Sequence, residues 1–206
     1  MSLPETSNKQ IEVELQFECT PNSVAIIELN ATLIKEKVLD EIYYDTDDYS
    51  LFCNDSALRL RNGNYEFKIR RAEQRHGDVE VYEEYAGEAA IRKVLDPDDI
   101  YTDLAFIDFL QQVGYAEKVH MITTRKTYTQ DSFTIDIDFT DFNYIVVEIE
   151  TMVSSYSETE SAKQKIIDYA NKIGMPNARA RSKLKEYIVR FIPNIAKILI
   201  EKGMIV

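Results

Sequence analysis

Charged residues of one sign recur two positions apart along this chain: Glu12 with Glu14, Asp136 with Asp138, Glu148 with Glu150, and Arg59 with Arg61. Glu66, Lys68 and Arg70 continue the spacing with mixed sign. Carboxylates grouped in this way bind hard divalent cations such as Mg2+ or Mn2+ through oxygen, whereas arginines clamp phosphate oxygens in a two-pronged grip. Metal and polyphosphate are the guests that the two groups call for together.

A spacing of two places side chains on one face of a β-strand. Around each pair the charged residues alternate with apolar ones, over 11–17, 58–61, 65–70, 133–139 and 147–150, and this predicts strands. Weaker alternation over 41–46, 79–85 and 121–129 brings the expected number to about eight. Arg61-Asn-Gly-Asn-Tyr65 predicts a hairpin turn. A sheet with one solvated face would explain the alternation, but it leaves the sorting by sign unexplained. At ~4 Å and an effective dielectric of about 20, two like charges repel by roughly 4 kcal/mol, so such pairs need opposite charge between them. If these faces turn inward, the interior holds the carboxylates of Glu12, Glu14, Asp136, Asp138, Glu148 and Glu150 beside a group of arginines and lysines.

Helices interrupt the strands. Thr20-Pro21 reads as a cap with proline at the first helical position, and apolar residues follow at helical spacing over 24–37. Residues 103–113 do likewise before Gly114. Ser157-Glu-Thr-Glu160 predicts a capping box opening a helix that ends at Gly174, and 180–191 with 194–202 finish the chain helically. The class is α+β, and the polar stretch 72–78 reads as the most mobile loop.

A length of 206 residues fits one domain large enough to enclose a ligand cavity. The formal charge of −12 repels nucleic acid and anionic lipid, so a phosphate ligand must be held by a local basic cluster or by bound cations. No apolar run approaches the ~20 residues of a membrane-spanning helix, since Arg190, Pro193, Asn194, Lys197, Glu201 and Lys202 break up the apolar C-terminal stretch. Cys19 and Cys53 lack metal-type spacing and the polar N-terminus lacks a signal peptide, which predicts free thiols and a cytoplasmic location. The six glycines make no phosphate loop, and no zinc or nucleophile motif is present. His76 and His120 read as loop residues without a catalytic role. Ile188, Phe191, Ile192, Ile195, Ile198, Leu199 and Ile205 are expected to pack against the outside of a barrel, and the oligomeric state is expected to be monomer or homodimer.

In order along the chain, Glu12-x-Glu14, Tyr43-Tyr-Asp-Thr46, Leu58-Arg-Leu-Arg61, Glu66-Phe-Lys68, Tyr82-Glu-Glu84, Arg125, Asp136-x-Asp138, Glu148-Ile-Glu150 and Arg181-Ser-Lys183 resemble the CYTH superfamily, the triphosphate tunnel metalloenzymes. The likeness is greatest to its thiamine-triphosphatase-like and inorganic-triphosphatase branches. The resemblance implies a closed eight-stranded antiparallel β-barrel, a tunnel with a charged interior surrounded by helices. The domain would span 11–192, after an N-terminal tail over 1–10 and before a helical extension over 193–206. Carried over by position, Glu12, Glu14, Asp136, Asp138, Glu148 and Glu150 would bind Mg2+ or Mn2+. Arg59, Arg61, Lys68, Arg70, Arg125 and Lys183 would bind substrate phosphate, with Glu12, Glu14, Lys68, Arg125 and Lys183 central to catalysis. Gln16, Glu66, Tyr82 and Glu84 would line the tunnel wall.

One departure stands out. The first-strand signature of the family usually reads Glu-x-Glu-x-Lys, and here the third position is Gln16. The resemblance implies a metal-dependent hydrolase acting on the terminal phosphoanhydride of tripolyphosphate or thiamine triphosphate. The rival readings are a class IV-type adenylate cyclase and a non-catalytic polyphosphate or nucleotide sensor.

Overall fold

The computed structural model describes residues 11–70, 82–175 and 180–205. The expected tail over 1–10, the loop over 72–78 with His76, and the start of the strand expected over 79–85 lie outside the described residues.

The strands are β1 (Ile11–Glu18), β2 (Thr32–Asp45), β3 (Ala57–Arg61), β4 (Asn64–Arg70), β5 (Tyr82–Ala86), β6 (Ala116–Gln130), β7 (Phe133–Thr140) and β8 (Ile145–Val153). The helices are α1 (Pro21–Asn30), α2 (Glu88–Leu95), α3 (Phe106–Gln112), α4 (Thr159–Lys172), α5 (Lys183–Phe191) and α6 (Pro193–Glu201). The eight strands form one sheet in the order β1-β8-β7-β6-β2-β3-β4-β5, and the pairs β1–β8, β7–β8, β2–β3, β3–β4 and β4–β5 are antiparallel. The class is α+β, as the alternation and caps predict. The closure expected of a barrel is not shown: β1 and β5 stand at the two ends of the strand order, and no pairing joins them among the described residues.

The chain divides into two compact units, the first comprising the described residues within 1–37, 125–139 and 145–182, the second those within 38–124, 140–144 and 183–206. In the first, Val13 and Phe17 of β1, Ile135 and Ile137 of β7, and Val147 and Ile149 of β8 bury one face of the sheet with Ala162, Ile166 and Tyr169 of α4. In the second, Tyr44, Leu58 and Phe67 form the apolar face with Ile91 of α2 and with Phe106, Phe109 and Leu110 of α3. A further group joins Val119 and Met121 of β6 to Ile188 of α5 and to Ile195 and Leu199 of α6. Of the C-terminal apolar residues, Ile188, Ile195, Leu199 and Ile205 are buried, whereas Phe191 and Ile198 are exposed. The period-two apolar face of every strong strand is thus taken up by helices or by other core side chains, which assigns the charged residues to the opposite face.

The hairpin turn forms as expected. Asn62 and Gly63 both take positive φ, 47° and 81°, the left-handed pair that a two-residue turn requires and that glycine adopts without strain. Several expected boundaries move. The helix expected over 24–37 ends at Asn30, where the Ala31 N–H still bonds to the Ile27 carbonyl, and the chain then enters β2 at Thr32. Sheet pairing overrides the local helical spacing there, helped by the β-branched Thr32 and Ile34. The capping box lies two residues earlier than expected: the Glu158 side chain accepts from the backbone N–H groups of Ser154 and Ser155 at 2.9 and 3.2 Å, and Ser155 caps in return. Helix α5 begins at Lys183 rather than at 180. His120 stands on β6, not in a loop, and pairs with Asp40 at 2.7 Å. Helix α2, only eight residues long, was not among the expected helices and starts after Gly87, whose φ is 84°.

Candidate metal and phosphate sites

In the first unit, register decides which charges meet. Glu14 lies opposite Glu150 and Gln16 opposite Glu148 across β1 and β8, while Asp136 lies opposite Glu148 across β7 and β8. Glu12, Glu14 and Glu150 each bring a carboxylate oxygen within 4.8 Å of the others. Burial raises the Glu150 carboxyl to about 7, with the Glu12 charge and its hydrogen bond, Asp136 and Glu14 adding to it. Such a group binds a proton near neutrality unless a cation takes its place.

Beside the triad, Arg125 of β6 ties together the remaining acids. Its Nε donates to Asp138 Oδ1 at 2.6 Å, its Nη1 to Asp136 Oδ2 at 2.5 Å, and its Nη2 to Asp138 Oδ2 and Glu148 Oε2, both at 2.7 Å. Asp138 is 0% exposed, so this end of the charged face is no solvated surface. Burial by itself would loosen the Arg125 proton, but the Asp138 hydrogen bond and the Glu148, Asp138 and Asp136 charges outweigh it and hold the guanidinium charged. Asp136 Oδ1 is buried and accepts no hydrogen bond within the protein, leaving an oxygen available to a cation.

The second unit gathers the basic group around an acid. Glu41 of β2, 0% exposed, accepts from Arg61 Nε at 2.9 Å and Nη2 at 2.7 Å, from the Tyr43 hydroxyl at 3.3 Å, and lies 3.4 Å from Arg59 Nη1. Lys183, at the start of α5, forms an ion pair with its other oxygen and donates to Thr123 Oγ1 at 3.4 Å. Burial would raise the Glu41 carboxyl, yet Lys183, Arg61 and Arg59 hold it down at about 2. Arg59 Nε also donates to Glu66 Oε2 at 2.7 Å. Three cations thus converge on two carboxylates, an excess of positive charge that suits a phosphate group.

Of the other expected phosphate ligands, Lys68 and Arg70 of β4 pair with different acids. Lys68 pairs with Glu84 at 2.7 Å, both partly or largely exposed, and Arg70 pairs with Asp55, which Lys185 also holds at 3.0 Å. Tyr82 stands on β5 with its backbone opposite Arg70. Asp45 of the Tyr-Tyr-Asp-Thr segment serves the fold, because its carboxylate accepts from the backbone N–H groups of Thr46, Leu51 and Phe52 at 2.7 to 2.9 Å. Sequence reasoning missed Glu41. It lies on a strand with weak alternation, and its neighbours two positions away, Leu39 and Tyr43, carry no like charge to mark the face.

Comparison with known proteins settles the family. The sequence matches the family model described as the CYTH domain over residues 10–182. The chain belongs to the CYTH family. Human thiamine-triphosphatase is 30% identical to this CYTH chain over 208 aligned residues, covering 93% of the chain and 90% of that protein. Among solved structures, the PH1819 protein of Pyrococcus horikoshii OT3 shares the fold with a TM-score of 0.67 at 20% identity, covering 87% of this chain and 99% of that one. A Vibrio parahaemolyticus protein described as a candidate adenylate cyclase follows with a TM-score of 0.62 at 16% identity, covering 87% and 98%. At these identities the two solved structures speak for the fold alone. The resemblance read from the ordered motifs therefore holds at the level of the family, and this CYTH chain departs from the first-strand pattern only at Gln16.

Proposed function

We propose that this chain is a divalent-metal-dependent triphosphatase that hydrolyses the terminal phosphoanhydride of a small-molecule triphosphate, thiamine triphosphate or inorganic tripolyphosphate. The observation that carries this reading is the Glu12, Glu14 and Glu150 triad, three carboxylates close enough to share one cation, one of them raised to about 7 by burial and its acidic neighbours. A hard divalent ion relieves that repulsion, and the all-oxygen donor set suits Mg2+ or Mn2+. The relation to thiamine-triphosphatase over nearly the whole chain supports the choice of reaction.

In this reading Glu12, Glu14 and Glu150 hold the cation, with the unbonded oxygen of Asp136 as a further donor. When bound, the ion neutralises phosphate oxygens and acidifies a water molecule for attack. Arg125 keeps Asp136, Asp138 and Glu148 in place beside the triad. Arg59, Arg61 and Lys183 of the second unit exchange part of their pairing with Glu41 and Glu66 for phosphate oxygens. Lys68 and Arg70 would contribute only after leaving Glu84 and Asp55. The unpaired thiols of Cys19 and Cys53 suit work in the cytoplasm, and no helix among the described residues is long and apolar enough to cross a membrane.

A phosphate-release assay across tripolyphosphate, thiamine triphosphate and ATP, each with Mg2+, Mn2+ or EDTA, tests the proposal. Release from one of the first two with either metal and none with EDTA is expected. Formation of cyclic AMP from ATP would replace the hydrolase with a cyclase. Triphosphate binding without release under any metal would replace it with a sensor.

A further inference from the structure

The side chain of Gln16 does something that its family counterpart, a lysine, would do differently. Its Nε2 donates to Glu14 Oε1 at 2.9 Å and to Glu148 Oε1 at 3.2 Å, so one amide group spans two strands and uses both of its N–H bonds on carboxylates. Glu148 is gripped from the other side as well, its Oε2 accepting from Arg125 Nη2 at 2.7 Å. The backbone at Gln16 is fixed in turn, paired with Glu148 in the ladder and bonded through its carbonyl to the Ala180 N–H at 3.0 Å. Gln16 is therefore the link between the Arg125 network and Glu14, a member of the carboxylate triad.

An amide holds a carboxylate by hydrogen bonds without cancelling its charge. A lysine ammonium in the same place would orient Glu14 through a salt bridge and would compete with a divalent ion for its charge. We propose that Gln16 is a positioning residue that orients Glu14 and Glu148 while leaving their charge undiminished, so that this chain binds a divalent cation tightly before any triphosphate arrives. The proposal rests on the cation-binding reading of the triad and adds to it the order of events: metal first, substrate second.

Mn2+ binding to the full chain without substrate, followed by the electron paramagnetic resonance of the free ion, provides the test, with thermal unfolding of each variant run alongside. Gln16→Lys is expected to weaken Mn2+ binding at least tenfold. Gln16→Met, which keeps the length and loses both donors, is expected to weaken it several-fold, with an unfolding temperature close to that of the parent. Gln16→Lys binding Mn2+ as tightly as the parent would overturn the charge argument, and unchanged binding by Gln16→Met would overturn the positioning role. Glu12→Gln separates this idea from the reading beneath it. If Glu12→Gln leaves Mn2+ binding intact, the cation site itself is misplaced; if it abolishes binding while both Gln16 variants bind normally, only the role of Gln16 fails.

Discussion

Arg125 and Asp138 meet in a two-pronged ion pair, Nε on Oδ1 at 2.6 Å and Nη2 on Oδ2 at 2.7 Å, with the carboxylate wholly buried. The geometry explains why an arginine lies among residues otherwise expected to bind metal. Without it, Asp136, Asp138 and Glu148 would repel one another in a space with little water. Removing the guanidinium by Arg125→Met is expected to destabilise the protein by about 3 kcal/mol or more. A urea titration followed by circular dichroism checks this, and Arg125→Lys should recover only part of the loss because an ammonium cannot make the paired contact.

Glu150 makes stability depend on pH in an unusual direction. Burial and Glu12 raise its carboxyl to about 7, above the value in the unfolded chain, so the folded protein binds the extra proton between about 4.5 and 7. Its contribution is favourable on the acid side and is lost as pH rises through about 7. Glu150→Gln, which is neutral at every pH, should accordingly melt at a higher temperature than the parent at about pH 8 in EDTA, and the two should converge near about pH 5. Calorimetry at the two pH values gives the answer; saturating Mn2+ should stabilise the parent at the alkaline pH and do much less for the variant.

Glu41 neutralises three cations from a position with no solvent access. Glu41→Gln leaves Lys183, Arg59 and Arg61 short of a counter-charge and is expected to destabilise by about 3 kcal/mol, a fall of roughly 6–12 °C in melting temperature for a chain of this size. Added tripolyphosphate should restore more of that loss than it adds to the parent, because the anion takes the place of the missing carboxylate. A melting curve with and without the anion distinguishes this from simple damage to the fold.

Activity should separate the two groups of residues. Glu14→Gln is expected to lower turnover by about two orders of magnitude with the fold intact, as loss of a metal ligand would. Lys183→Met should lower kcat/KM by roughly a hundredfold, the size seen for one lost charge-stabilising donor. Steady-state phosphate release at several metal concentrations tells them apart: raising Mn2+ should recover part of the Glu14→Gln rate and none of the Lys183→Met rate.

Much of this site was legible in the residues themselves. A period of two commits Glu12 with Glu14, and Glu148 with Glu150, to one face whatever the strands do next, because alternate side chains of a pleated strand point the same way. The Thr20-Pro21 cap and the Asn62-Gly63 turn were equally local, since they depend on φ preferences and on hydrogen bonds over three or four residues. Boundaries that rest on sheet pairing were not. Helical spacing runs on beyond Asn30, but β2 claims the chain from Thr32.

Residue order and short-range periodicity are enough to give the family, the α+β class, and the presence of acidic and basic faces. Which charge meets which is settled only when the chain is folded. Gln16 reaches Glu148 across 132 positions of chain, Arg125 collects acids from β7 and β8, and the start of α5 brings Lys183 to Glu41. Those meetings depend on strand register and helix placement, which are set by the packing of distant apolar faces. Local pattern can put a carboxylate on a face, but only the pairing of strands remote in sequence assigns it an arginine, an amide or a shared cation.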